Sequence, residues 1–208
     1  AICGCLPQHT DIDLLKRFPY LDLAFGTQNI YELPDLLKSD KRVMKILKKD
    51  YKPEENVGFI REKNVNAWIP IIEGCNNFCT YCIVPFTRGR ERSRLPEVIF
   101  KEAKEIISQG FKEITLLGQN VDSYGKDLHI EGVTLANLLR ELNKIEGYFR
   151  IRFVTSYPTD NTDDLIEAVA ECDKVCEFFH IPMQSGNSRV LKAMNRRYDR
   201  EQYFEIFK

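Results

Sequence analysis

From residue 67 onward, short apolar runs alternate with amphipathic helical stretches, and this alternation admits few folds. Residues 67–73 read as a strand and 96–109 as a helix, with Pro96 near its start and Gly110 after its end. Residues 114–117 read as a buried strand, and 134–145 as a helix ended before Gly147. A strand at 151–155, a helix at 163–170, a strand at 178–181 and a short helix at 187–194 complete the series. Strand followed by helix, four times over, predicts parallel strands joined by helical crossovers. Four such units do not close a barrel of eight. The expected fold is therefore α/β, an open, partial β/α barrel. Its polar motifs all follow strands: the cysteine-rich segment after residue 73, Gly118-Gln119-Asn120, Thr155-Ser156-Tyr157-Pro158 and Gln184-Ser185-Gly186. In such sheets the carboxyl edge is where ligands bind.

Residues 1–50 read as a smaller α/β piece. A strand end and turn are expected at 3–7, a helix opened by Asp at 11–18, a strand at 21–25 ended by Gly26, and a helix at 31–37. Seven basic residues between Lys38 and Lys52 interleave with Val43, Met44, Ile46 and Leu47. They predict a helix, either solvated with one buried stripe or facing RNA. Pro53 and Gly58 mark a linker, so the expected layout is a domain at 1–52, a linker at 53–66 and a larger domain at 67–208. The chain opens inside an apolar stretch and closes in a helical pattern (Tyr203, Phe204, Phe207) without a stop signal. A fragment of a longer enzyme, incomplete in its second domain, is expected.

A formal net charge of −1 gives no support to a bulk nucleic-acid binder, so any such contact must be local. No apolar run approaches a membrane span and no signal-peptide pattern opens the chain. Seven cysteines, an odd and clustered set, suit metal ligation in a reducing compartment better than a disulfide framework. The location expected is cytoplasmic, with no membrane contact.

Three of those cysteines stand in Cys75-Asn76-Asn77-Phe78-Cys79-Thr80-Tyr81-Cys82. This spacing arises by chance on the order of one per cent of the time in a chain with this cysteine content. It can hold three corners of an iron–sulfur cube and leave the fourth iron open for chemistry. A structural zinc site needs four ligands, and His9, His129 and His180 all lie elsewhere in the chain. Zinc completed from a distant loop, and a reactive or disulfide-forming cysteine, are the alternatives. Tyr81 is placed to pack beside a flat ligand's ring. Cys172 and Cys176 flank an expected helix end and read as core packing.

The loop resembles that of the radical S-adenosylmethionine (radical SAM) superfamily. The longer string from Glu73 to Arg94, with Leu116-Leu117-Gly118-Gln119-Asn120-Val121, His180-Ile181-Pro182-Met183-Gln184-Ser185-Gly186 and Met194-Asn195-Arg196-Arg197-Tyr198, is similar to the methylthiotransferase family within it. The Gly118-Gln119-Asn120-Val121 version most resembles the branch acting on dimethylallyladenosine in tRNA. The resemblance implies two [4Fe-4S] clusters. Cys75, Cys79 and Cys82 would hold one that binds S-adenosylmethionine. An auxiliary, sulfur-supplying cluster would use Cys5, in Gly4-Cys5-Leu6-Pro7-Gln8, with two further ligands preceding Ala1; Cys3 does not match.

The resemblance further implies reductive cleavage of S-adenosylmethionine to a 5′-deoxyadenosyl radical. A methylthio group would then be placed on carbon 2 of the isopentenylated adenosine beside a tRNA anticodon. Radical chemistry is needed because that carbon–hydrogen bond has no useful acidity. Candidate cofactor contacts are Tyr81, Gln119, Asn120, Ser156, His180, Gln184 and Ser185; each can also be read as a turn former. The family usually has His where this chain has Tyr157, so no acid–base role is assigned there. Arg88, Arg90, Arg92 and Arg94 alternate after the loop, to meet RNA phosphates or the cofactor carboxylate, or else to form a solvated or ion-paired segment. Unstacked anticodon-loop bases suit recognition of one nucleotide. Other expected partners are a flavodoxin or ferredoxin as electron donor, with the protein a monomer. Rival substrates are threonylcarbamoyladenosine in tRNA and an aspartate of a ribosomal protein; a non-catalytic iron–sulfur or zinc module is a rival of another class.

Overall fold

The computed structural model describes residues 1–10, 13–47, 60–62 and 65–208. Its chain contacts divide into two compact units, Ala1–Pro53 with Cys82–Arg90, and Glu54–Tyr81 with Glu91–Lys208. Much of the expected linker, residues 53–59 and 63–64, lies outside the described residues.

The first unit carries a parallel sheet in the order β1 (Ile2–Cys3), β2 (Leu23–Phe25), β3 (Val43–Lys45), with Ile2 opposite Ala24 and Leu23 opposite Val43. Its helices are α1 (Cys5–His9), α2 (Leu14–Arg17), α3 (Leu33–Leu36), which follows a 3-10 turn at Thr27–Glu32, and α4 (Val84–Thr87). Leu14, Leu21 and Ala24 are buried against Ile2, Leu15, Phe18 and Met44. Arg42 donates to the carbonyls of Leu15, Phe18 and Leu21 at 2.6–2.9 Å, closing the end of α2.

Two expectations fail in this unit. Residues 5–9 are helical rather than a turn, because Pro7 sits in the first turn, where its missing N–H costs no hydrogen bond. The basic stretch is a strand at 43–45, not a helix: pairing with β2 overrides the helical spacing of its apolar residues. Residues 48–52 of that stretch, and Asp11 and Ile12 of the expected helix at 11–18, lie outside the described residues. The described part of that helix is shorter and is capped by Asp13, which accepts from the Leu15 and Lys16 N–H groups.

The second unit is built on parallel strands β4 (Asn66–Pro70), β7 (Glu113–Leu117) and β8 (Arg150–Phe153), with Ile69 opposite Leu116 and Leu116 opposite Phe153. Between β4 and β7 a short antiparallel pair, β5 (Ile72–Glu73) and β6 (Arg92–Ser93), brackets the cysteine segment. Helix α5 (Pro96–Ser108) joins the first two parallel strands and buries Ile99, Glu102, Ala103 and Ile106, the spacing of one helical face. Helix α6 (Leu135–Asn143) joins β7 to β8 and is capped by Thr134; α7 (Asp163–Glu171) follows and is capped by Thr162. These helices share one core with the strands, from Ile69 and Leu116 to Phe153 and Leu165. Helices α8 (Ser188–Ala193) and α9 (Arg200–Glu205) complete the described fold, the second opened by an Asp199–Gln202 capping box. The two three-stranded sheets are parallel, and no closed barrel forms among the described residues.

The strand expected at 178–181 is not formed. A single parallel bridge joins Ile151 to Val175, and farther along the Ser156 N–H reaches the His180 carbonyl at 3.1 Å. The chain runs beside β8 without a ladder, with Phe178 exposed and Phe179 edge-on to Phe153 at 5.4 Å. No helix among the described residues is long and apolar enough to cross a membrane.

Candidate functional site

The cysteine loop leaves β5 at Gly74, whose φ of +84° favours glycine. Cys75 and Cys79 follow, with exposures of only 9% and 8%. Burial pushes the Cys75 thiol above its ordinary pKa. Gly118 lets the end of β7 lie against β5, since a side chain there would meet Ile72 Cγ2 at 2.4 Å. The next residue, Gln119, then accepts the Gly74 N–H on Oε1 at 2.6 Å. Glu91, just before β6, accepts from the Asn76 backbone N–H at 3.2 Å and its side-chain amide at 3.0 Å.

The other side of the loop is gripped from the end of α8. That helix stops in a Schellman motif: the Asn195 N–H bonds the Lys192 carbonyl at 3.0 Å and the Arg196 N–H bonds the Leu191 carbonyl at 2.9 Å. Asn195 takes the left-handed position, φ +56°, which turns the chain back. Four consecutive loop residues are then met by four from this turn. Met194 O accepts the Thr80 N–H at 3.1 Å, and Asn195 Nδ2 donates to Phe78 O at 2.9 Å. Arg196 Nη1 donates to Cys79 Sγ at 3.2 Å, and Arg197 donates to Asn77 Oδ1. The clamp holds Phe78 at φ +48°, a costly backbone for a bulky residue.

Arg196 is itself held. Its guanidinium carbon lies 4.3 Å from the Tyr157 ring centroid and 5.0 Å from that of Tyr198, and Nε donates to the Tyr198 hydroxyl at 3.0 Å. The Tyr198 hydroxyl donates on to the Met183 carbonyl at 2.9 Å. Burial, the largest single influence, works to lower the pKa of Arg196, and the bonds to Cys79 and Tyr198 together with the charge interactions of Tyr198 and Tyr157 leave it raised.

Beyond β7 and β8, Asn120 is 2% exposed and donates to Asp160 at 2.7 Å, and its buried Oδ1 has no hydrogen-bond partner among the described residues. Ser156 is spent internally: Oγ donates to Asp122 at 3.0 Å, and the Tyr157 N–H donates to the same carboxylate at 3.1 Å. Burial raises Asp122 to about 6. His180 and Gln184 are exposed, Gln184 at φ +69°, and Ser185 Oγ accepts the Asn187 N–H at 3.2 Å. Tyr81 is exposed, with its hydroxyl 3.5 Å from Arg196 Nη1.

Cys82 is half-buried and belongs, with Cys5, to the first unit, where α1, bearing Cys5, packs on α4, two residues past Cys82. Cys3 is exposed, Cys172 is buried in the second core and Cys176 is half-buried. Arg88 and Arg90 lie in the first unit. The ion-paired alternative holds for Arg94, whose guanidinium meets Glu102 at 2.8 Å and the Pro70 carbonyl at 2.8 Å; Arg92 lies 3.7 Å from Glu73. Arg196, Arg197, Asp122 and Glu91 carry much of this site, and no sequence expectation gave them a role. The sequence signals were the string 194–198 for the two arginines and, for Glu91, its place in the string from Glu73 to Arg94, neither with an assigned task.

A family model described as the radical SAM superfamily matches residues 69–208. Proteins named tRNA-2-methylthio-N(6)-dimethylallyladenosine synthase are 52% identical to the chain. The one from Clostridium botulinum aligns over 99% of this chain and 47% of its own length, and the one from Clostridium perfringens over 100% and 48%. The chain thus spans about half the length of the curated relatives it matches. Among solved structures, the cobalamin-dependent S-adenosylmethionine radical enzyme OxsB superposes with a TM-score of 0.54 at 16% identity, over 67% of this chain and 21% of that one. The radical S-adenosylmethionine methyltransferase TsrM from Kitasatospora setae superposes with a TM-score of 0.54 at 15% identity, over 68% and 27%. At those identities the likeness is one of fold. By the match that runs through its cysteine loop, its parallel strands and its closing helices, the chain belongs to the radical SAM superfamily.

Proposed function

We propose that the protein containing this chain adds a methylthio group to carbon 2 of N(6)-dimethylallyladenosine beside a tRNA anticodon. The observation that carries this reading is the pair of buried thiols, Cys75 and Cys79, fixed in a loop at the carboxyl edge of a parallel sheet. The names of relatives at 52% identity supply the substrate.

The donor chemistry fits an iron–sulfur cluster: closely spaced cysteines, two of them buried, with a cation beside one sulfur, while among the described residues no three Cys, His, Asp or Glu side chains are gathered as a metal-ligand group. Cys75, Cys79 and Cys82 would hold it, and Cys5 would be one ligand of a second. The orphaned Oδ1 of Asn120 suits a donor on S-adenosylmethionine. When bound, the cluster with S-adenosylmethionine supplies one-electron chemistry able to open a carbon–hydrogen bond that no base can. The chain's own task is orientation. Gln119 and Glu91 fix the start of the loop, and the 194–197 turn fixes its middle. Ser156 orders the edge through Asp122, while Tyr81, His180, Gln184 and Ser185 stay as candidate contacts. Arg88 and Arg90 stay as candidates for RNA phosphates, while Arg94 is committed to Glu102. A flavodoxin or ferredoxin as donor, a monomeric state, a cytoplasmic location and the domain layout 1–52, 53–66 and 67–208 belong to the same reading.

Nucleoside mass spectrometry of tRNA from a strain lacking the gene tests it. The methylthio-isopentenyl nucleoside disappears, and returns with the wild-type gene but not with a Cys79→Ala variant. Unchanged levels in the deletion strain would overturn the assignment. Loss of the methylthio-threonylcarbamoyl nucleoside instead would transfer it to that substrate.

A further inference from the structure

We infer that Arg196 is a positioning residue that sets the reduction potential of the cluster held by the cysteine loop, through the hydrogen bond from its Nη1 to Cys79 Sγ. The inference rests on the cluster reading of the loop and adds to it a residue that the spacing of the cysteines does not identify.

Three observations converge. The bond is 3.2 Å long and runs from a half-buried guanidinium to the sulfur of a residue only 8% exposed, so water screens the positive charge less there than at the surface. The guanidinium is pre-placed: the rings of Tyr157 and Tyr198 flank it, and the Tyr198 hydroxyl takes its Nε–H. The chain behind it is fixed by the end of α8, with Asn195 in the left-handed position and bonded to Phe78 O. An arginine needed only for packing would not require its fork aimed at a thiol.

The effect has a definite sign. Reduction adds one electron to a cluster already carrying cysteine thiolates, and no bond is made or broken. A fixed cation on a ligand sulfur stabilises the more negative, reduced state more than the oxidised one. Hydrogen bonds to sulfur and local net charge are among the established determinants of cluster potential. Arg196 therefore makes the cluster easier to reduce.

The test uses full-length protein reconstituted anaerobically with iron and sulfide, as wild type and as Arg196→Gln, Arg196→Lys and Tyr198→Phe. Iron is counted, and the midpoint is followed by electron paramagnetic resonance during mediated reduction. Arg196→Gln shifts the reduction equilibrium about tenfold toward the oxidised form, about 59 mV for one electron. Arg196→Lys, which keeps the charge, shifts it less. An unmoved midpoint in Arg196→Gln with full iron overturns the inference. If that variant takes up less iron than wild type, Tyr198→Phe decides, since it leaves the guanidinium and both rings in place and removes the Nε acceptor together with the hydroxyl's bond to the Met183 carbonyl. A smaller negative shift there supports the inference, and no shift overturns it. Wild-type protein that assembles no four-iron cluster overturns the cluster reading, and this inference with it.

Discussion

The side-chain oxygen of Gln119 accepts the Gly74 N–H at 2.6 Å, so a residue just past β7 fixes the turn that opens the cysteine loop, 45 positions earlier in the chain. Gly74 is buried, and without Gln119 its donor loses that acceptor. Gln119→Ala is expected to cost about 1–3 kcal/mol, the range for a buried group left unsatisfied. Gln119→Glu keeps an acceptor and recovers most of the loss. Urea unfolding of the iron-free full-length protein measures both. An alanine variant as stable as wild type would remove Gln119 from this role.

Asp122 gives the fold a pH dependence. Burial lifts its carboxyl from 3.8 to about 6, against the opposing pull of bonds from Ser156 and the Tyr157 N–H. A carboxyl with a raised folded pKa holds more protons folded than unfolded. Its contribution is therefore fully present below pH 3.8 and is lost as pH rises through about 6. The total is about 3 kcal/mol as an order of magnitude. Asp122→Asn, which can still accept from Tyr157 N–H and donate to Ser156, removes that slope. Urea midpoints compared between pH 4 and 7 should diverge in favour of the asparagine variant at the upper end. Parallel curves would show that Asp122 titrates normally.

The periodic elements were legible because each is decided locally. Helix α5 announces itself through Pro96, Gly110 and the one-face spacing of Ile99, Ala103 and Ile106. The buried strand at β7 reads as an apolar run. What failed was decided by partners distant in sequence. Val43–Lys45 is a strand because β2 lies beside it, and 178–181 is not one because only isolated contacts join that segment to β8. The cysteines of the loop could be picked out from their spacing alone. The residues gripping them could not, since Arg196 reaches Cys79 across 117 positions and only the Schellman turn at Asn195 aims it there.

Arg94 and Arg88 should separate by kind of defect. Glu102 is buried on α5 and pairs with both Arg94 and Arg61, so Arg94→Gln weakens a largely buried ion-pair group. Breaking such a group costs about 3–5 kcal/mol. The salt dependence of tRNA binding should stay unchanged in that variant. Arg88→Gln is expected to reduce the slope of log affinity against log salt by about 1 if it meets one phosphate. Unfolding curves and salt-titrated tRNA binding on full-length protein give both readouts. A stable Arg94→Gln with a shallower slope would return Arg94 to the RNA-facing set.

Asn195 combines two duties that substitution can split. Its φ of +56° closes α8, and its side-chain amide donates to the carbonyl of Phe78, the loop residue held at φ +48°. Asn195→Gly keeps the left-handed turn and loses the side-chain bond, a net cost of about 1 kcal/mol or less, because glycine meets no steric penalty there. Asn195→Val loses the bond and forces a β-branched residue into the same backbone, adding about 1–2 kcal/mol. The order wild type, glycine, valine in urea stability follows only if the turn geometry matters as much as the amide. Both variants should also release Phe78, which limited proteolysis of the iron-free protein would detect as faster cutting between Asn77 and Thr80. Equal stability of the glycine and valine variants would mean that the left-handed turn at Asn195 is not what aims Arg196 at Cys79.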